Sequence, residues 1–120
     1  MILAIDIGNT NIVLGGIVKD DITFTARLAT DRIKTEDQYA VDIKNILELY
    51  QVSLENIRGV IISSVVPPVR NAVRAAAQRL TGRPPIVLGP GVKTGLNIVI
   101  DNPGQLGCDL VANAVAALKE

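Results

Sequence analysis

The chain opens on Met1-Ile-Leu-Ala-Ile-Asp6-Ile7-Gly8-Asn9-Thr10-Asn11-Ile12-Val13-Leu-Gly15: an apolar strand, an acid, a Gly-Asn-Thr-Asn turn and a second apolar strand. The fold therefore begins with a hairpin, and Gly8 and Asn9 are residue types that accept positive φ in such a turn. A turn needs neither the acid that precedes it nor the hydroxyl inside it. Asp6 and Thr10 suit a site where backbone N–H groups and hydroxyls hold phosphate oxygens and a carboxylate holds magnesium. Nucleotide chemistry is the leading reading of this segment. Taken alone, it also reads as a tight turn with an incidental acid.

The pattern beyond the hairpin narrows the fold class. Residues 2–7, about 11–18 and 21–29 read as three consecutive strands, with Gly15-Gly16 marking a bulge and Lys19-Asp20-Asp21 forming the second turn. A polar connector over 31–37 leads to a helix with Thr35 as its N-cap and Tyr39, Ile43, Ile46, Leu47 and Tyr50 at helical spacing. A strand over 58–66 ends in Ser63 and Ser64. Pro67 and Pro68 then start a helix striped by Val69, Val73, Ala76 and Leu80 and stopped by Gly82. A short strand over 85–89, a Gly/Pro loop over 90–95, a strand over 96–100 and a helix from Asp101-Asn102-Pro103 onward complete the order β-β-β-α-β-α-β-α. A meander followed by helix–strand alternation implies an α/β fold with a mixed sheet and helices on its faces. The strand-to-helix G-x-G-x-x-G unit of a Rossmann domain and the G-x-x-x-x-G-K-[ST] P-loop are both missing.

Composition excludes several alternatives. Aromatic residues make up 2% of the 120 residues, too few for the stacking platforms of a single-stranded nucleic-acid binder. Twelve basic and twelve acidic residues, without a block of like charge, give no nucleic-acid or anionic-membrane footprint. With one cysteine and no histidine there is neither an intrachain disulfide nor a Cys/His zinc set. No basic-apolar leader or membrane-length run appears, so the expected location is cytoplasmic.

Three further segments carry polar groups with two readings each. Ser63 and Ser64 either face a phosphate cleft at a strand end or feed the cap of the next helix. Lys93 and Thr94, between Gly91 and Gly95, either contact an anion or belong to a solvated loop. In Asp101 through Asp109, Asn102, Pro103 and Gln105 suit a helix start, while Gly107 costs a helix about 1 kcal/mol relative to alanine. A glycine there fits a close approach of something to the backbone. Asp109 then reads either as a helix-dipole partner or as a catalytic carboxylate.

Taken in order, Asp6-x-Gly-Asn-Thr10-Asn, Ser63-Ser-Val-Val-Pro67, Gly91-x-Lys-Thr-Gly-Leu96 and Asp101-Asn-Pro103 through Gly107-x-Asp109 resemble the type III pantothenate kinases of the actin-like ATPase superfamily. The resemblance runs through essentially the whole chain. It implies the N-terminal lobe of an actin-like, ribonuclease-H-like fold, and ATP-dependent phosphorylation of pantothenate at the first step of coenzyme A synthesis. By resemblance, Asp6, Ile7, Gly8, Asn9, Thr10, Asn11, Ile12 and Val13 form the first phosphate loop, with Asp6 near Mg2+. Gly107, Cys108, Asp109 and Leu110 fall at the pantothenate segment, with Asp109 as general base. A monovalent cation (K+ or NH4+) and a homodimer are also implied. The family's Gly-Ala-Asp-Arg carries Cys108 in place of Ala and Leu110 in place of Arg, and Ile100 stands where a Tyr is common.

Family members continue into a second lobe with another Asp-x-Gly-Thr loop, an adenosine pocket and most of the monovalent-cation site. The expectation is therefore that residues 1–120 are the N-terminal half of such an enzyme and inactive alone. A second expectation, from Leu110 and Ile100, is a non-catalytic regulatory or transcriptional accessory module. A third is a kinase of the same superfamily acting on another small hydroxylated acceptor.

Overall fold

The computed structural model describes residues 1–19 and 21–88. The strand expected over 96–100, the helix from 101 and the loop over 90–95 lie outside the described residues. Within them the order is β1 (Ile2–Ile7), β2 (Asn11–Val18), β3 (Asp21–Ala29), α1 (Glu36–Leu49), a 3-10 turn at Leu54–Asn56, β4 (Gly59–Ser64), α2 (Pro67–Thr81) and β5 (Ile86–Leu88).

The five strands form one mixed sheet in the order β3-β2-β1-β4-β5. β1, β2 and β3 pair antiparallel as a meander, whereas β1–β4 and β4–β5 are parallel. The sequence pattern follows from position. Interior β2 is buried continuously from Ile12 to Ile17, and β1 and β4 are nearly so. Edge strand β3 instead alternates, with Phe24 and Ala26 buried and Thr23, Thr25 and Arg27 exposed. Leu3, Ile5, Ile7, Ile12, Leu14 and Ile62 point to the face covered by α1 and α2 and share one cluster with the helices' Tyr39, Ile43, Leu47, Val69 and Val73. Ala4, Ile17 and Ile61 form a smaller cluster on the opposite face.

Each helix starts and stops for an identifiable reason. Thr35 caps α1 through a reciprocal box: the Gln38 N–H donates to Thr35 Oγ1 at 3.3 Å and the Thr35 N–H to Gln38 Oε1 at 3.0 Å. Pro67 and Pro68 open α2, and Gly82 ends it at φ 72°, where a β-carbon is disfavoured. The strand register shifts between Gly16 and Ile17, as the Gly-Gly pair predicts. A side chain at Gly16 would meet the Phe24 ring, which itself stacks on Tyr50 with centroids 5.1 Å apart. Tyr50 thus covers β3 from the C-cap of α1 instead of extending the helix's buried stripe.

Candidate active site

Asp6, on the face away from the helices, is the penultimate residue of β1. The sheet register gives it defined neighbours. Asp6 pairs with Ser63 on β4 and with Val13 on β2, and Val13 in turn pairs with Arg27 on β3. Residues that pair directly across strands share a face. One rung therefore carries Ser63, Asp6, Val13 and Arg27 side by side on the face the helices leave uncovered.

The turn beyond this rung is held from two sides. Within it, the Gly8 N–H donates to the Asn11 carbonyl at 2.9 Å. From β3's end, Thr30 Oγ1 donates to the Gly8 carbonyl at 2.8 Å and the Thr30 N–H to the Thr10 carbonyl at 2.9 Å. From β4's end, the Val65 N–H donates to the Ile7 carbonyl at 3.1 Å. Neither Gly8 nor Asn9 has positive φ, contrary to the expectation that the turn recruits them for left-handed backbone. Gly8 is instead a close-approach residue, since a β-carbon there would lie 3.2 Å from the Asn11 carbonyl oxygen. Asn9, Thr10 and Asn11 are exposed at the turn's tip. Among the described residues nothing takes up the N–H groups of Asn9 and Thr10, the arrangement an anion-binding turn requires.

A support the sequence did not announce lies behind Thr30. Tyr39, fully buried on α1, donates its hydroxyl to the Asp31 carbonyl at 2.5 Å and accepts from the Asp31 N–H at 3.0 Å. The Asp31 carboxylate in turn accepts from the Ile33 N–H at 2.8 Å. Core, connector and turn are thus linked in series through Tyr39, Asp31, Thr30 and Gly8.

The two serines at the end of β4 divide their work. Ser64 is buried on the helix side. Its hydroxyl accepts from the Val66 N–H at 2.9 Å and donates to the Val66 carbonyl at 3.1 Å, closing the strand-to-helix corner. Ser63, one residue earlier, sits on Asp6's rung. The cleft-facing reading therefore fails for Ser64, while Ser63 shares the uncovered face with Asp6. Nor is the start of α2 a rich anion site, because Pro67 and Pro68 carry no N–H and the Arg70 N–H bonds to the Val66 carbonyl.

Burial raises the Asp6 carboxyl above its ordinary pKa of 3.8, so the folded chain disfavours the bare carboxylate. A cation would reverse that preference. Magnesium keeps most of its water and takes only one or two protein carboxylates when substrate phosphates complete its shell. One half-buried carboxylate with a hydroxyl on the same rung fits that requirement. No group of three or more His, Cys, Asp or Glu occurs among the described residues, so a cation held by protein carboxylates alone is not offered there.

Of the site residues expected from sequence, Asp6 through Val13 are brought together around one turn. Gly107, Cys108, Asp109 and Leu110, like Lys93 and Thr94, lie outside the described residues. A cavity of about 680 Å³ opens at the far end of β1, against Met1, Ile17, Lys19 and Arg58, and touches none of the expected site residues.

Comparison with known proteins gives three findings. A family model described as type III pantothenate kinase matches residues 2–120. A type III pantothenate kinase from Exiguobacterium sp. (strain ATCC BAA-1283 / AT1b) is 49% identical over 118 residues, which is 98% of this chain and 46% of that protein. The chain thus spans about half the length of this curated relative. Among solved structures, a ROK hexokinase from Thermus thermophilus aligns with a TM-score of 0.54 at 15% identity, over 73% of this chain and 34% of that one. RuvC from Thermus thermophilus aligns with a TM-score of 0.56 at 17% identity, over 97% and 95%. At such identities the likeness shows the fold alone, the actin-like and ribonuclease-H-like α/β architecture.

Proposed function

The chain belongs to the type III pantothenate kinase family, and on that premise we propose that it forms the phosphate-binding lobe of an enzyme that phosphorylates pantothenate with ATP. The observation that carries this reading is Asp6 paired in register with Ser63, directly behind a turn that offers backbone N–H groups. Asn9 and Thr10 would hold phosphate oxygens, and Asp6 with Ser63 would hold magnesium. Magnesium held there would offset part of the negative charge of the phosphates.

In the transfer, the acceptor hydroxyl oxygen bonds to the γ-phosphorus while the bond to the bridging oxygen breaks, its electron pair leaving with ADP. The hydroxyl proton passes to a carboxylate base, the role we assign to Asp109. This lobe's contribution is then positioning and charge stabilisation, the larger part of catalysis in phosphoryl transfer. The pantothenate contacts of Gly107, Cys108 and Leu110, a K+ or NH4+ requirement, a homodimer, a cytoplasmic location and dependence on a second lobe complete the proposal. Family membership supports them. Among the described residues, no helix is long and apolar enough to cross a membrane.

The test is phosphate transfer from ATP to pantothenate by the intact protein, with magnesium and with or without K+. The expected product is 4'-phosphopantothenate, seen by mass. Absence of that product under all these conditions overturns the proposal. Transfer to a different hydroxylated acceptor keeps the kinase and rejects pantothenate.

A further inference from the structure

Arg27 is a cation that the fold sets on the working rung and that no role described above uses. It lies on edge strand β3, exposed, and its register through Val13 leads to Asp6. Two strand spacings put its backbone about 10 Å from that of Asp6. A guanidinium on its three-methylene stem is long enough to span much of that gap over Val13, which is 8% exposed and lies between them on the rung. The paired positions on this face of β1, β2 and β4 are otherwise apolar, small or hydroxyl-bearing, so among the described strand residues at this rung Arg27 supplies the positive charge. Nor does Arg27 appear in an ion pair among the described residues, in contrast to Lys34, bound to Asp42 at 2.7 Å, and Arg79, bound to Asp37.

We infer that Arg27 binds the terminal phosphate of ATP, from the side of Asp6 opposite Ser63. This rests on the kinase reading and goes beyond it by naming a residue and the ligand group it recognises. The chemistry favours an anion held jointly with magnesium. A metal at Asp6 neutralises part of the triphosphate's charge, and a planar donor fork at the other end of the rung meets the remaining γ-oxygens. A bare ion pair with Asp6 is the weaker alternative, because the ion pairs among the described residues are Lys34–Asp42 and Arg79–Asp37 and none joins Arg27 to Asp6. The rival account of Arg27 is that of an edge guard, a charge that keeps β3 from pairing with another chain. The two accounts predict different measurements.

The experiment titrates the intact protein and its Arg27→Gln and Arg27→Lys variants with ATP and, separately, ADP, with magnesium and no acceptor. Arg27→Gln is expected to weaken ATP binding by about tenfold to a hundredfold, with ADP binding changed by less than about twofold. Arg27→Lys should fall between wild type and Arg27→Gln for ATP, since lysine keeps the charge but not the fork. Equal losses for ATP and ADP, or none for either, overturn the inference. So does self-association of Arg27→Gln with nucleotide affinity intact, the edge guard's signature. The pantothenate assay stands apart from this readout. If wild type binds ATP and Arg27→Gln shows the selective loss while pantothenate is not phosphorylated, the acceptor assignment fails and Arg27 stands. If pantothenate is phosphorylated but the selective loss is missing, the reverse holds.

Discussion

The two faces of the sheet are built from alternate residues of the same strands, yet they spend their side chains differently. On the helix face Leu3, Ile5, Ile7, Ile12 and Leu14 are almost completely buried, and Ser64, the buried polar residue among the described residues, is closed on Val66. On the other face the same strands end in Asp6, Ser63 and Arg27, which have no such closure among the described residues. The period-2 geometry of a strand makes this possible: neighbours in sequence can serve stability and chemistry without sharing a surface. Ser63 and Ser64 show the separation at its smallest scale: adjacent in sequence, they lie on opposite faces.

The comparison is sharpened most by removing an anchor from the helix face. Ile62→Ala should cost about 2–5 kcal/mol in unfolding free energy, measured by denaturant titration of the intact protein, with the turnover of the folded fraction kept. A loss below about 1 kcal/mol would mean that this face is not the seat of stability.

Asp6→Asn is the counterpart on the other face. Turnover should fall about 100-fold or more, while thermal stability at neutral pH should rise. The sign follows from the pKa. Because burial raises it, the folded chain binds the Asp6 proton more tightly than the unfolded chain does. The destabilisation is therefore full above the raised folded value and fades as pH falls toward the ordinary 3.8. Melting curves of wild type and Asp6→Asn across that window should converge in acid. Curves that stay parallel, or a less stable Asp6→Asn at neutral pH, break the assignment.

The two serines make a finer instrument. Ser64→Ala should lose about 1–2 kcal/mol of stability through the unsatisfied Val66 N–H, with the KM for ATP unchanged. Ser63→Ala should move stability by no more than about 0.5 kcal/mol and instead raise the magnesium concentration needed for half-maximal turnover. An exchange of these two phenotypes would mean that the faces are assigned the wrong way round.

Much of this was legible in the sequence because it is local. The three opening strands, the Thr35 cap, the Pro67 start and the Gly82 stop each depend on a few adjacent residues, and all appear where the pattern put them. The β5 strand is shorter than expected, at Ile86–Leu88. The turn after β1 forms where the pattern put it, but Gly8 is there for clearance from Asn11 and not for positive φ. What sequence could not give is register. Nothing near Asp6 in the chain announces Ser63, fifty-seven positions on, or Arg27 through Val13, because parallel pairing and edge placement arise only when the sheet assembles. The Tyr39–Asp31 link was hidden for a related reason. Tyr39 shows up in sequence as one more member of an apolar stripe, and its hydroxyl's partner lies beyond the helix cap.

That link has a consequence for how accurately the turn can be held. Loops ordinarily drift because their ends alone are fixed, and phosphoryl transfer tolerates little drift. Here the buried Tyr39 ring is a benchmark, and Asp31 and Thr30 carry its position outward to the Gly8 carbonyl. The turn's positional error is then set by the jitter of a close-packed interior and not by the slack of a surface connection. Tyr39→Phe would leave the packing almost as it was and remove the gauge.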